Sequence, residues 1–187
     1  MATTARRLTF KDLELNPEEH EGDRHELIDG ELVVTPVPLI KHQVVSMNII
    51  SALDRFVRDG DLGRVLHAPT GVQLTPDNLL IPDIVFVAQN RLHIIGPKTI
   101  DAAPDLVVEI LSPGTRRRDL DTKRALYARF GVQGYWIVDP DARTLTVLAL
   151  AGAKFDPVPG EEGGTIASRV LPGLTLALTD VFAGVER

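Results

Sequence analysis

Residues 106–111, with the sequence LVVEIL, decide the fold, because they form a nearly continuous apolar run with one carboxylate inside it. Such a run predicts a central strand that is buried on both faces of a sheet. Residues 112–115, SPGT, end it. Burial of Glu109 carries a large desolvation cost, so this side chain must be protonated, paired with a cation or bound to a metal. A structural ion pair, or a position at the edge of the sheet, is the alternative.

The patterns on either side of this strand predict the other elements. Residues 25–28 and 31–34 are β-prone and flank Asp29-Gly30, a strong short signal for a β-hairpin. Residues 41–58 and 118–130 have the apolar spacing of helices, and further apolar runs are typical of strands.

This order of elements predicts an α/β protein: a central mixed β-sheet flanked by helices, with an N-terminal β-hairpin. The chain has 187 residues, of which 44% are hydrophobic, so it is long enough for one well-packed core. We therefore expect a single domain over residues 1–187, with residues 1–24 as an N-terminal surface segment.

The composition also narrows the function. The chain has no cysteine, which excludes disulfides, thiolate zinc sites and cysteine nucleophiles. It has no apolar run of membrane-spanning length and no signal-peptide core, so we expect a cytoplasmic protein without a membrane partner. The net charge of −6 argues against a broad electrostatic grip on nucleic acid, although a local basic patch is compatible with it.

Asp83 is the natural companion of Glu109. It follows Pro82 and precedes the apolar run of residues 84–87, so two neighbouring strands could each present one carboxylate to the same point. Paired carboxylates are the ligands that a hard divalent cation prefers, here Mg²⁺ with Mn²⁺ as a substitute. Taken alone, Asp83 is also compatible with ordinary turn chemistry at the start of a strand.

Lys123 is the least expected residue of the second helix. Leu120, Lys123, Tyr127 and Phe130 lie at spacings of three, four and three, so they share one helical stripe. Since the apolar members of this stripe face the sheet, Lys123 is predicted to point inward, where its amine would neutralise the carboxylates or orient a water. A lysine whose stem lies along the apolar surface and whose amine reaches solvent is the alternative.

Several other residues are weaker candidates for the site. Arg116, Arg117 and Arg118 belong to a basic cluster that could bind a phosphate backbone, or could simply be solvated. Glu31, directly after the hairpin turn, could supply a third carboxylate, but an exposed edge residue is the favoured interpretation. For His42, at the start of the first helix, a surface position is likewise favoured.

The motifs in this order resemble the Uma2 family, a branch of the PD-(D/E)XK restriction-endonuclease-like superfamily. The segments that carry the resemblance are HELIDGE at 25–31, IPD at 81–83, PDLVVEILSP at 104–113, Asp119 with Lys123 and Tyr127, Gly131-Val132, and YWIVDP at 135–140.

The resemblance implies a restriction-endonuclease-like core with Asp83 and Glu109 as the metal-binding pair. The superfamily's lysine normally lies two residues after the glutamate, where this chain has Leu111, so the resemblance implies that Lys123 has taken over its role from the following helix. It also implies that Glu31 completes the site and that His42 and Tyr127 are accessory residues.

Together these features predict an Mg²⁺-dependent endonuclease that hydrolyses DNA phosphodiester bonds. Two alternatives remain: a catalytically inactive module that binds nucleic acid or protein on the same fold, and a metal-dependent hydrolase of small phosphate esters. We also expect a homodimer, because the two predicted helices cover only one face of the sheet and a nuclease must meet both strands of a duplex.

Overall fold

The computed structural model describes residues 7–15, 24–35, 37–159 and 164–185. In chain order, its strands are β1 (Arg24–Ile28), β2 (Glu31–Thr35), β3 (Gly63–His67), β4 (Gly71–Thr75), β5 (Asn78–Leu80), β6 (Ile84–Ala88), β7 (Thr99–Ile100), β8 (Leu106–Ile110), β9 (Gly134–Asp139), β10 (Thr144–Ala151), β11 (Lys154–Pro157), β12 (Thr165–Ala167) and β13 (Thr175–Ala177). The helices are α1 (Phe10–Leu15), α2 (Ile40–Asp59), α3 (Arg124–Arg129) and α4 (Leu178–Val181), together with a 3₁₀ helix at Gln89–Ile94 and a π-helical segment, Arg118–Lys123, that leads directly into α3.

Six strands form the central sheet, in the order β11-β10-β9-β8-β6-β3. β8 and β9 run parallel, whereas β8 and β6, β6 and β3, β9 and β10, and β10 and β11 are antiparallel. The sheet is therefore mixed, and β8 lies inside it with a strand on each side. The predicted α/β class and central mixed sheet are confirmed.

The side chains of β8 enter two hydrophobic cores, one on each face of the central sheet. Val108 and Ile110 belong to one core, and Val107 belongs to the other. All five residues of the strand are buried, which explains why its sequence is apolar at consecutive positions. Because side chains alternate along a strand, Glu109 faces the same side as Val107.

Helices cover both faces of the central sheet. Val45, Ile49, Leu53 and Val57 form the buried stripe of α2 and pack into the core that contains Val108. The helix that ends with α3 packs on the opposite face through Leu126 and its neighbours. None of the helices within the described ranges is both long enough and apolar enough to cross a membrane.

A second sheet, in the order β2-β1-β5-β4-β7, adjoins the face that α3 covers. Val72, Leu80 and Ile100, from three of its strands, belong to the same core as Leu126. Its first two strands form the predicted hairpin, in which Asp29 and Gly30 have φ values of 49° and 78°. Positive φ at both central residues is the signature of a type I′ turn.

Two expectations need correction. The sequence suggested that helices cover only one face of the central sheet, but both faces are covered, so this reason for expecting a dimer is lost. The N-terminal segment is also not wholly a surface segment, because Leu13 of α1 is buried against Leu27 and Leu79. Residues 16–23 lie outside the described residues.

The close approach of Gly63, the first residue of β3, to the backbone of β6 generates a prediction about stability. Gly63 has φ 146°, and a Cβ at this position would lie 2.1 Å from the carbonyl oxygen of Val87. A backbone atom in a paired strand cannot move away, so Gly63→Ala is expected to cost more than about 3 kcal/mol.

Gly152 is the matched control. It has φ 64°, but a Cβ there would meet no atom within 4 Å, so Gly152→Ala is expected to cost only about 1 kcal/mol of backbone strain. Denaturant unfolding of the two variants measures the difference. Equal losses would show that the close approach at Gly63 is not a constraint.

Candidate active site

The register between β6 and β8 brings Asp83 and Glu109 together at one end of the central sheet. Ile84 lies opposite Val108, so the residue before β6 lies next to the residue after Val108. Both carboxylates line one cavity, with exposed fractions of 4% for Asp83 and 3% for Glu109. The structure thus places the two predicted carboxylates at one point.

Asp83 is held as an ionised carboxylate by donors from three elements. Its Oδ2 accepts a hydrogen bond from the backbone amide of Ile110 at 2.8 Å and lies 3.1 Å from Nε2 of His42, while its Oδ1 accepts one from Nη1 of Arg24 at 3.0 Å. Burial acts to raise the pKa of Asp83, but the hydrogen bond and charge of His42, the Ile110 amide and the Arg24 charge outweigh it, so the pKa is lowered.

The pKa of Glu109 is shifted in the opposite direction from that of Asp83. Its Oε1 accepts hydrogen bonds from Nζ of Lys123 at 3.0 Å and from the hydroxyl of Tyr127 at 2.9 Å. Burial raises the pKa of Glu109 well above its usual value. The Lys123 charge opposes this shift, but the nearby carboxylates Asp119 and Asp83 add to it. The two neighbouring carboxylates therefore differ in their tendency to hold a proton.

Lys123 is the central cation of the site. Its amine lies 2.8 Å from Glu26 Oε1 and 3.5 Å from Asp119 Oδ1, in addition to its bond to Glu109, and the residue is only 3% exposed. Burial acts to lower the pKa of Lys123, but these three carboxylates outweigh it and raise the pKa above its usual value. The predicted inward orientation is present in the structure, and the surrounding carboxylates favour the charged form of the amine.

The helix that carries Lys123 has a polar inner stripe. Thr115, Asp119, Lys123 and Tyr127 follow one another at intervals of four residues, and all are buried. The first three line the cavity. The π-helical segment Arg118–Lys123 lies within this stripe, and such segments occur frequently at functional sites.

Glu26 is the carboxylate that sequence reasoning missed. It lies on β1, is 2% exposed, lines the cavity, and accepts hydrogen bonds from the backbone amide of Ile81 at 2.8 Å as well as from Lys123. Glu31, which the family resemblance implied as a further site carboxylate, is exposed at the start of β2, as the residues alone favoured, and does not line the cavity. The hairpin register puts Glu26 and Glu31 on the same face, but Glu31 lies beside the turn on the outer strand and does not reach the cavity. The signal that could have found Glu26 was a charged residue inside the β-prone segment 25–28.

The three arginines and His42 differ from what the residues alone favoured, although the position of His42 agrees with the family resemblance. His42 is 5% exposed and contacts Asp83, so it belongs to the site and not to the surface. Arg116 pairs with Asp139 at 2.7 Å, the side chain of Arg117 is 98% exposed, and Nη2 of Arg118 donates to Thr35 Oγ1 at 3.0 Å. The three arginines therefore do not form one patch. Arg24, which the sequence did not single out, is the arginine at the cavity.

The cavity is small and opens towards a larger groove. Its volume of about 20 Å³ is sufficient for one water or ion. The neighbouring groove has a volume of about 460 Å³ and shares Arg24, Thr35 and Pro38 with the cavity. A larger ligand in the groove would therefore reach the carboxylates past Arg24.

The chemistry of the donor set fits a divalent cation such as Mg²⁺. Four buried carboxylates line the cavity, and Oδ1 of Asp119 is buried without a hydrogen-bond partner. Burial, with a smaller contribution from the neighbouring carboxylates, raises the pKa of Asp119 despite Lys123, so a nearby cation would favour its charged form. Hard oxygen ligands of this kind suit Mg²⁺. Within the described ranges, however, no three such side chains already converge as a metal site, so a bound ion would have to compete with the cations now in place.

Comparison with known proteins gives a family and a similar solved structure. The Uma2 family model, described as "Putative restriction endonuclease", matches residues 9–179. A crystal structure from Anabaena variabilis ATCC 29413, described as "a putative nuclease belonging to DUF820", is similar with a TM-score of 0.72 and 22% sequence identity, and the match covers 87% of this chain and 91% of that chain. Among curated proteins, none matches. The structural likeness shows a shared fold, in agreement with the expected restriction-endonuclease-like core. Because the family model matches nearly the whole chain, this protein belongs to the Uma2 family.

Proposed function

We propose that this protein is a nuclease that hydrolyses phosphodiester bonds of DNA with the help of Mg²⁺. The observation that carries the proposal is the contact between the Lys123 amine and Glu109, beside Asp83, in one buried cavity. A lysine next to two carboxylates at the end of a sheet is the arrangement that the superfamily resemblance leads us to expect. The family description and the name of the structural neighbour support a nuclease.

In this proposal Asp83 and Glu109 hold the ion, with Asp119 and Glu26 as further oxygen donors nearby. When bound, Mg²⁺ supplies Lewis-acid activation of water and stabilises negative charge on the phosphate. The ion would also relieve the repulsion among the carboxylates, which otherwise raises the pKa of Glu109 along with its burial.

Lys123 acts as a fixed positive charge in this mechanism. The surrounding carboxylates raise the pKa of Lys123 more than burial lowers it, so the amine keeps its proton and does not serve as a general base. Its amine instead donates hydrogen bonds to a phosphate oxygen or to the attacking water. Glu26 orients the amine from β1, and the Tyr127 hydroxyl fixes the Glu109 oxygen that the amine contacts.

The DNA strand would lie in the groove beside the cavity. Arg24 lines both, with its side chain 23% exposed, so it can contact a phosphate while it still neutralises Asp83. The side chain of Arg117 is 98% exposed and lies 3.9 Å from Asp121, so it is accessible to a phosphate. A small phosphate ester would also fit the groove beside the cavity, so a panel of duplex DNA, single-stranded DNA and nucleotide monoesters decides between the two substrate classes.

Asp83→Asn and Glu109→Gln are both expected to lower Mg²⁺-dependent cleavage of plasmid DNA by at least about 100-fold, since each removes a charge from the proposed ligand pair. Asp156→Asn, at an exposed position of β11, is the matched control and should cleave like the parent. Full activity in either site variant would contradict the proposal.

The same two substitutions are expected to change stability in opposite directions in metal-free protein. Burial raises the pKa of Glu109, so its charged form destabilises the fold at pH values above the usual carboxyl pKa of 4.5. Glu109→Gln should therefore stabilise the protein at pH 7 but not below about pH 4. The pKa of Asp83 is lowered because its partners outweigh burial, so Asp83 stabilises above its unfolded value of 3.8, and Asp83→Asn should destabilise at pH 7. Urea unfolding at pH 7 and pH 4 measures both, and shifts of the same sign at pH 7 would contradict the assigned charge states.

Lys123→Met is expected to abolish cleavage and to cost about 3–5 kcal/mol, because it leaves three buried carboxylates without their shared cation. Adding Glu26→Gln removes one of these charges, so the double variant should recover part of the stability but none of the activity. Urea unfolding and plasmid cleavage separate the two effects. Cleavage by folded Lys123→Met at the parent's rate would overturn the role of the amine.

A further inference from the structure

The outer edge of β2 is the most exposed apolar strand edge of the described chain. β2 is the last strand of the second sheet, so its outer side pairs with no other described strand. Leu32 is 36% exposed and Val34 is 50% exposed, and Val37, just after the strand, is 80% exposed. The strand carries a single charge, Glu31 at its start, and has no lysine or proline of the kind that protects natural sheet edges.

We propose that β2 pairs with β2 of a second copy of this chain, antiparallel about a twofold axis at Val33, and that the partner's Glu31 then pairs with Arg118 beside the candidate active site.

The backbone of β2 is self-complementary in this register. The two-residue turn makes Ile28 and Glu31 a hydrogen-bonded pair, so hydrogen-bonded and non-hydrogen-bonded pairs alternate from there. The N–H and C=O groups of Leu32 and Val34 therefore point away from β1. An axis at Val33 places Leu32 opposite Val34 of the partner subunit. The outward N–H and C=O groups of these two residues then form one hydrogen-bonded pair, and the twofold axis repeats this pair on the other side of Val33.

The charges favour a second copy over an unrelated strand. In the same register the partner's Glu31 lies directly opposite Thr35, on the same face of the sheet. Thr35 Oγ1 accepts a hydrogen bond from Nη2 of Arg118 at 3.0 Å, so the guanidinium lies where the incoming carboxylate arrives. Nε of Arg118 is buried without a hydrogen-bond partner and lies 3.9 Å from Glu26, so this arginine is incompletely satisfied within one chain.

This pairing gives the exposed Glu31 a role next to the cavity. Arg118 is 3.9 Å from Oε2 of Glu26, whose other oxygen contacts Lys123. A carboxylate from the partner would hold the Arg118 guanidinium from the side opposite Glu26. The candidate site of each subunit would then have one residue of the other subunit beside it.

A symmetric crosslink tests the register, because the chain has no cysteine of its own. At a non-hydrogen-bonded antiparallel pair the Cα atoms are about 4.5 Å apart, within the range that a disulfide spans. Val33→Cys should therefore form a covalent dimer rapidly under mild oxidation. Met47→Cys, on the exposed side of α2 at 60% exposure, is the matched control and should crosslink far more slowly. Equal rates would overturn the proposed axis.

Sedimentation tests the interface without any crosslink or activity, so failure of the nuclease proposal does not affect it. The parent should sediment as a dimer at tens of micromolar concentration, and a monomer there would overturn the proposal. Val34→Pro removes an outward N–H without breaking the pairing with β1, and it should give a monomer; a dimer of unchanged affinity would overturn the proposal.

The charge pairing is tested by Glu31→Lys, which should weaken the dimer by at least about tenfold through repulsion of Arg118. Asp156→Lys makes the same change of charge away from β2 and should leave the dimer constant unchanged. Equal effects of the two substitutions would show that Glu31 does not face Arg118 across the axis.

Discussion

A single buried ammonium group organises this protein's candidate site. Lys123 is enclosed by Glu26, Glu109 and Asp119, and no two of these carboxylates come from the same element of secondary structure. Burial of that many like charges without a cation would be prohibitively costly. The hairpin, the central sheet and the π-helical segment therefore have to meet where the lysine is.

The sequence was sufficient for the parts of the fold and site that follow from periodicity. The run LVVEIL at residues 106–111 predicted a strand covered on both faces, and the spacing of Leu120, Lys123 and Tyr127 predicted an inward lysine. Both patterns are local, because a strand or helix dictates which side chains share a face. The structure has both features.

Other parts depend on tertiary relationships that no local pattern contains. Glu26 and Glu31 share one face of the hairpin, and which of them reaches the cavity depends on how the hairpin is placed against the helix, so the sequence pattern did not reveal Glu26. His42 looked like a helix-start residue, yet α2 directs it to Asp83. Three consecutive arginines suggested one basic patch, but a helix rotates successive side chains by about 100° and so separates them.

The placement of Glu26 has a mechanical consequence. β1 belongs to the second sheet, whereas Asp83 and Glu109 border strands of the central sheet, and among the described strands none pairs across the two sheets. Two ion pairs, Lys123 with Glu26 and Arg24 with Asp83, thus link the hairpin to the helix and to the central sheet. A ligand that alters the charge inside the cavity would therefore change the strength of this link.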